Sequence, residues 1–148
     1  MSDAWAAVKE LVRLVSVELA GQSVSVAAWE ESAERAQRAS VHVADLSYSR
    51  DPDGVRAGGV QPTATSGSCT VVVESSPARG RGAAAAMDAA DVLADSVVRV
   101  VLRQNLGGFL DGRVMTSVQQ VEGPVLLPTD QGNGAVVTVT VSLDIWHA

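Results

Sequence analysis

The clearest pattern in the chain lies near its C-terminal end. Over residues 135–146 (AVVTVTVSLDIW), Val137, Val139, Val141, Leu143 and Ile145 share one parity, while Thr138, Thr140, Ser142 and Asp144 share the other. A two-residue period with one apolar side predicts an antiparallel strand that buries one face and wets the other. Residues 68–75 (SCTVVVES) and 113–121 (RVMTSVQQV) read as further strands, and residues 24–29 as a short one. Residues 41–50 alternate too, but the phase slips: Val41 and Val43 fall on one parity, Leu46 and Tyr48 on the other. A bulge near Ala44 reconciles the two halves, because one extra residue flips every later side chain to the other face.

Two segments change period. Residues 3–19 place Trp5, Val8, Val12, Val15 and Leu19 at helical spacing, with Ser2 or Asp3 able to cap the start and Gly21 able to end it. Leu14 and Val17 fall on the far side of that stripe. They are either two ordinary exposed apolar residues or a second contact surface for a neighbouring subunit. Residues 83–105 predict the longer helix, with Met87, Ala90, Ala94, Val97, Val98 and Val101 on an apolar face that Leu93 and Val100 widen. Asp88, Asp91, Asp95, Arg99 and Arg103 line its polar face, acids early and bases late as the helix dipole favours. Gly107 and Gly108 supply a stop.

Between these elements, Glu30–Ser40 reads as a loop or one helical turn, Pro77–Gly82 as a connector, and residues 51–67 and 122–134 as long loops. The 122–134 segment carries two turn signals, Gly123-Pro124 and Gly132-Asn133-Gly134. Val125, Leu126 and Leu127 between them are expected to fold back or dock on a partner. The resulting order, α-β-β-β-α-β-β, predicts an α+β fold: a mostly antiparallel sheet with two helices packed on one face. The 148 residues fit a single domain, 1–148.

Composition narrows the function. The net charge of −6 argues against nucleic acid or an anionic membrane as the main partner, since both reward clustered cations. Cys69 is the only cysteine, which excludes an intramolecular disulfide and cysteine-rich zinc sites. Asp3, Lys9 and Glu10 stand where a signal peptide needs an apolar stretch, and no segment reaches about 18 uncharged apolar residues. Synthesis in a reducing cytoplasm, without export or membrane insertion, is the expectation.

Candidate chemistry is thin. Gly80-x-Gly82-x-x-Ala85 touches the dinucleotide fingerprint, but its glycines follow the strand by several residues and no second unit completes a nucleotide fold. A flexible helix entry is the simpler reading, with Arg79 and Arg81 placed to meet a neighbour's carboxylate. Asp88, Asp91 and Asp95 at i, i+3 and i+7 could hold a cation, against a solvated face with Asp95 paired to Arg99. Asp51-x-Asp53-Gly54 opens like a calcium loop but lacks the later ligands, which leaves a β-turn. His42 and His147 have no third ligand, no G-x-S-x-G elbow is present, and Cys69 sits in an apolar strand. No catalytic, cofactor-binding or metal-binding residue is assigned, and the chain reads as a non-enzyme. The basic positions lack the contiguous stripe and stacking rings of a nucleic-acid surface.

The order of elements resembles the bacteriophage tail-terminator, or tail-completion, family of the minor tail protein U type. The resemblance is carried by MSDAWAAVKELVRLVSVELAG with a strand directly after it, by SGSCTVVVESSPARGRGAAAAMDAADVLADSVVRVVL, and by GAVVTVTVSLDIWHA. It implies a structural virion protein that forms a homo-oligomeric ring, a hexamer, at the head-proximal end of the tail. Such a ring ends tube polymerisation and offers the head connector or stopper protein its attachment surface. The implied partners are other copies of itself, the tail tube protein and the connector, with DNA passing through the lumen unread. Subunit-interface candidates are Leu14, Val17, Arg79, Arg81, Asp88 and Asp91. Two other functions fit the same residues: another head–tail joint protein, such as a stopper or contractile-system cap, and a small dimeric ferredoxin-like binding domain.

Overall fold

The computed structural model describes residues 3–22, 24–27, 39–50, 64–75, 82–103, 113–129 and 132–146. Trp29, the Asp51–Gly54 turn, Arg79, Gly80, Arg81, Gly107, Gly108 and His147 lie outside them. In chain order the elements are helix α1 (Asp3–Glu18), strands β1 (Ser25–Ala27), β2 (Ala39–Arg50) and β3 (Ala64–Ser75), helix α2 (Ala83–Val101), and strands β4 (Val114–Thr129) and β5 (Gly132–Trp146). This is the expected α+β order. The strands form one sheet ordered β1-β2-β3-β5-β4, antiparallel throughout except for the short parallel pair β1/β2.

The alternating C-terminal segment becomes an interior strand. β5 pairs with β3 without a register shift from Ala64↔Trp146 to Ser75↔Ala135, and with β4 on its other side. Directly paired residues share a face, so Val137, Val139 and Val141 line up with Val73, Val71 and Cys69 and, across the next strand, with Val41 and Val43. All are buried, and both helices pack on this face in a single core. α1 contributes Ala4, Ala7, Val8, Leu11, Val15 and Leu19; α2 contributes Ala86, Ala90, Leu93, Ala94, Val97, Val100 and Val101. The α1 stripe is therefore turned slightly from its expected position, with Trp5 and Val12 at the margin. Alanines at the contact let the helices lie close to a β-branched sheet surface without voids.

Three interactions fix the ends of the helices. Gly21, at φ 87°, reverses the chain after α1, a conformation that costs glycine little. Glu18 and Arg103 form an ion pair at 2.6 Å that ties the end of α1 to the end of α2. The buried hydroxyl of Thr116 on β4 donates to the Val101 carbonyl at 2.8 Å. That bond satisfies an acceptor of the last helical turn, and α2 ends at Val101 rather than at residue 105 as expected.

Strands run further than the sequence pattern suggested. β3 begins at Ala64, so the end of the expected 51–67 loop is strand, because Thr65–Gly67 pair on both sides and Ala64 pairs with Trp146. The expected 122–134 loop is largely a hairpin of β4 and β5. Its first turn signal, Gly123-Pro124, is absorbed within β4 as a register shift between Glu122 and Val125. Gly123 adopts φ 112°, and a Cβ there would lie 2.6 Å from the Val136 carbonyl oxygen. Proline, lacking a backbone N–H, is tolerated because β4 is an edge strand. Val125 and Leu126 pair with Val136 and Ala135 and remain exposed rather than folding back. The bulge expected near Ala44 is present as a register shift between Val43 and Asp45. No helix among the described residues is long and apolar enough to cross a membrane.

Two substitutions test this packing. Thr116→Val keeps the shape but leaves the Val101 carbonyl without its buried donor, and should cost about 1–3 kcal/mol in a chemical-denaturation experiment. In Gly67→Ala, the new Cβ would sit 2.5 Å from the Ser47 carbonyl oxygen and 2.8 Å from Tyr48 Cβ. β2 and β3 must then separate, and the same measurement should show a loss of about 1–3 kcal/mol.

Candidate functional site

The second face of the sheet follows from the same alternation. Every residue that β5 does not send to the helices it sends to the other side, and cross-strand pairing gathers these residues into rows. One row reads Ser47, Ser68, Ser142 and Ser117 across β2, β3, β5 and β4. The row on one side of it reads Asp45, Thr70, Thr140 and Gln120; the row on the other reads Ser49, Ser66, Asp144 and Met115. No helix among the described residues packs on this face. Its middle rows carry short hydroxylated side chains, with the exposed Met115, Val125 and Trp146 on β4 and at the end of β5.

Charge on this face has one sign. Asp45, Glu74, Glu122 and Asp144 occupy it, and no lysine or arginine holds a position of this parity in the described strands. Asp144 accepts from Ser66 Oγ at 3.1 Å, and Glu122 from Gln120 Nε2 at 2.6 Å. Arg113 stands at the rim, immediately before β4, and its Nη1 donates to the Trp146 carbonyl at 3.2 Å. Acids with hydroxyls repel a phosphate backbone and hydrate well, so this face can sit beside a polyanion without binding it. A shallow depression of about 400 Å³ runs over it, lined by Ser47, Ser49, Ser66, Ser68, Gln119 and Ser142 together with Tyr48 and Gly67.

The helix side bears a different feature. An open groove of about 480 Å³ lies between α2 and the chain around β1, lined by Val24, Ala39, Ala89, Val92 and Leu93 with Gln22, Ser75 and Asp88 at its polar points. Val92 is 63% exposed, which its place in an apolar helix did not signal.

Of the residues singled out in the sequence, Val17 is exposed on α1, while Leu14 is half-buried and packs against the core. Leu14 is therefore partly spent inside the subunit. Asp88 and Asp91 are exposed on α2, on the opposite side of the molecule from the acidic face; Arg79 and Arg81 lie outside the described residues. Asp95 and Arg99 form no ion pair among the described residues: Arg99 donates instead to Ser96 Oγ at 3.0 Å, and Ser96 reaches back to the Val92 carbonyl. No group of three potential metal ligands comes together among the described residues. His42 is buried on the hydroxylated face between Ala27 and Val72, and its Nδ1 has no hydrogen-bond partner among the described residues. The acidic face was missed because it is assembled from four strands. Its only local trace is the polar parity of β5.

Comparison of the chain with protein-family models gives no match, and neither does comparison with curated protein sequences.

Cys69 is the chain's single thiol, and it is buried in the core. Burial, and then the nearby Asp45 carboxylate, push its thiol up to about 12 from an ordinary value of 9.0. Thiolate is the reactive form, so the native protein should react with an aromatic disulfide at pH 8 on the order of 10³-fold more slowly than the unfolded chain. Because the folded pKa is the higher one, this group's contribution makes stability fall as pH rises from about 9 towards 12. Cys69→Ala should reduce that fall in pH-dependent unfolding.

Proposed function

We propose that this chain is a structural virion protein that forms a ring at the head-proximal end of a phage tail tube, ends tube polymerisation and presents the head-attachment surface. The observation that carries the reading is the division of the sheet into two faces. One is sealed by both helices; the other is hydroxylated, bears Asp45, Glu74, Glu122 and Asp144, and has no cation of its parity among the described strands. A ring whose subunits turn this face inward has a lumen along which DNA slides without sticking. The helix layer then faces outward, and the exposed Val17, Asp88 and Asp91 remain available to the tube or the connector. Subunits that meet through two different surfaces close into a ring when the rotation permits. The order of elements, which resembles tail terminators, supports the same reading.

The alternative of a small dimeric binding domain is favoured by one feature, the apolar groove around Val92. Light scattering separates the two, run on the purified chain alone and with purified tail tubes. A closed ring of about six subunits, free in solution or formed only on tube ends, is the expected result. A stable dimer indifferent to tubes would sink the ring and turn attention to the groove.

A further inference from the structure

The sheet has two edges, and they are guarded unevenly. On one side β1 covers only Ser40–His42 of β2; beyond it no strand lies outside Asp45–Arg50 among the described residues. On the other side β4 is the outermost of the described strands along its whole length. Long open edges invite pairing with another chain, and proteins protect them with bulges, prolines and charges. Along β4 the register shifts between Val118 and Gln120 and again between Glu122 and Val125, and Pro124 and Pro128 fall in its distal half. Its proximal stretch, Val114–Val118, has no proline, no charge and no shift.

The two open stretches match in level. The cross-strand rows place Ser47 on the level of Ser117 and Ser49 on the level of Met115. They also place β1's cover over His42 on the level of Glu122, where β4 breaks register. Among the described residues both edges are thus open at one end of the sheet, while at the other β1 covers one edge and a register shift and prolines interrupt the other. The directions agree as well. β2 runs with β5 and against β4, so a rotated copy brings its β4 alongside this β2 in the antiparallel sense. Exposed apolar side chains stand at the same level. Tyr48 is 45% exposed on the helix side of β2, in the row that ends at Thr116. Leu102, 61% exposed, follows the helix residue that Thr116 holds.

We infer that the occupant of these edges is a second copy of this chain: β4 residues 114–118 of one subunit pair antiparallel with β2 residues 45–50 of the next, and the sheet continues from subunit to subunit. Tyr48 of one copy packs towards Leu102 of its neighbour, and Met115 is covered on the hydroxylated side. Repetition around an axis joins the sheets into one closed barrel, which leaves no open edge, and extends the serine row around its inner wall. Closure into a ring rests on the function proposed above; the pairing of these two edges does not.

Cysteine cross-linking tests the pairing. The variants are Ser47→Cys/Ser117→Cys and Ser49→Cys/Met115→Cys, each oxidised with and without purified tail tubes, beside the four single variants; the buried Cys69 stays in place. The expected result is a ladder of covalent oligomers, collapsed by reductant, from at least one double variant and none from any single one. A covalent dimer from Ser117→Cys or Met115→Cys alone would mean two-fold β4–β4 pairing and would overturn the inference. Absence of a ladder from both double variants overturns it too. Light scattering on the same samples then tells the failures apart: a ring without the cross-link leaves the ring function standing on another interface, and a monomer in both conditions removes both.

Discussion

The structure depends on the double pairing of β5. This strand hydrogen-bonds to β3 on one side and to β4 on the other, and its residues from Val137 to Ile145 at every second position are almost completely buried. Each such valine, leucine or isoleucine withdrawn from water is worth about 1.5–3 kcal/mol before the entropy of ordering it is counted. A slip of one residue would send this whole apolar set to the wet face and Thr138, Thr140 and Ser142 into the core. The register of β3 and β4 is pinned by the same penalty, and so is the seat of α2, which meets β5 more extensively than any other strand.

That constraint also explains where the polar chemistry lies. With one face committed to two helices, each acid in the strands must occupy the opposite parity or be buried unpaired, which is costly. Asp45 shows how closely this is controlled. Without the shift after Val43 it would share a face with Val41 and Val43; with it, Asp45 joins Thr70 outside and Leu46 joins Cys69 inside. The bulge thus determines both the integrity of the core and the sign of the charge on the open face.

Much of this was legible along the chain. β5, the first part of α2 and the bulge near Ala44 could be read because each is encoded by neighbours a few residues apart. The ends of elements could not. Gly123-Pro124 has the local chemistry of a turn, yet it sits within β4 because Val136 and Ala135 on the partner strand continue the pairing past it. Thr65–Gly67 look like loop until β2 and β5 flank them. α2 stops at Val101, where Thr116, fifteen positions on, takes its carbonyl. The acidic face is non-local in the same way: its four carboxylates come from four strands and share no spacing in sequence.

The two sides of the sheet carry unequal burdens, and this bears on what the surface can do. The helix side holds its exposed apolar groups as separate features, Val17 on α1, Val92 beside the groove and Leu102 at the end of α2. On the other side the rows from Asp45 to Ser49 offer serine, threonine and carboxylate, which hold water rather than displace it, with the exposed Met115, Val125 and Trp146 confined to β4 and the end of β5. A partner that must dehydrate its surface to bind finds little to reward it there, because each hydroxyl stripped of water needs a matched donor or acceptor in exchange. A hydrated polyanion moving past asks for no such exchange. The hydroxylated rows therefore gain little by being dehydrated, and the apolar groups at the edges and on the helices gain the most.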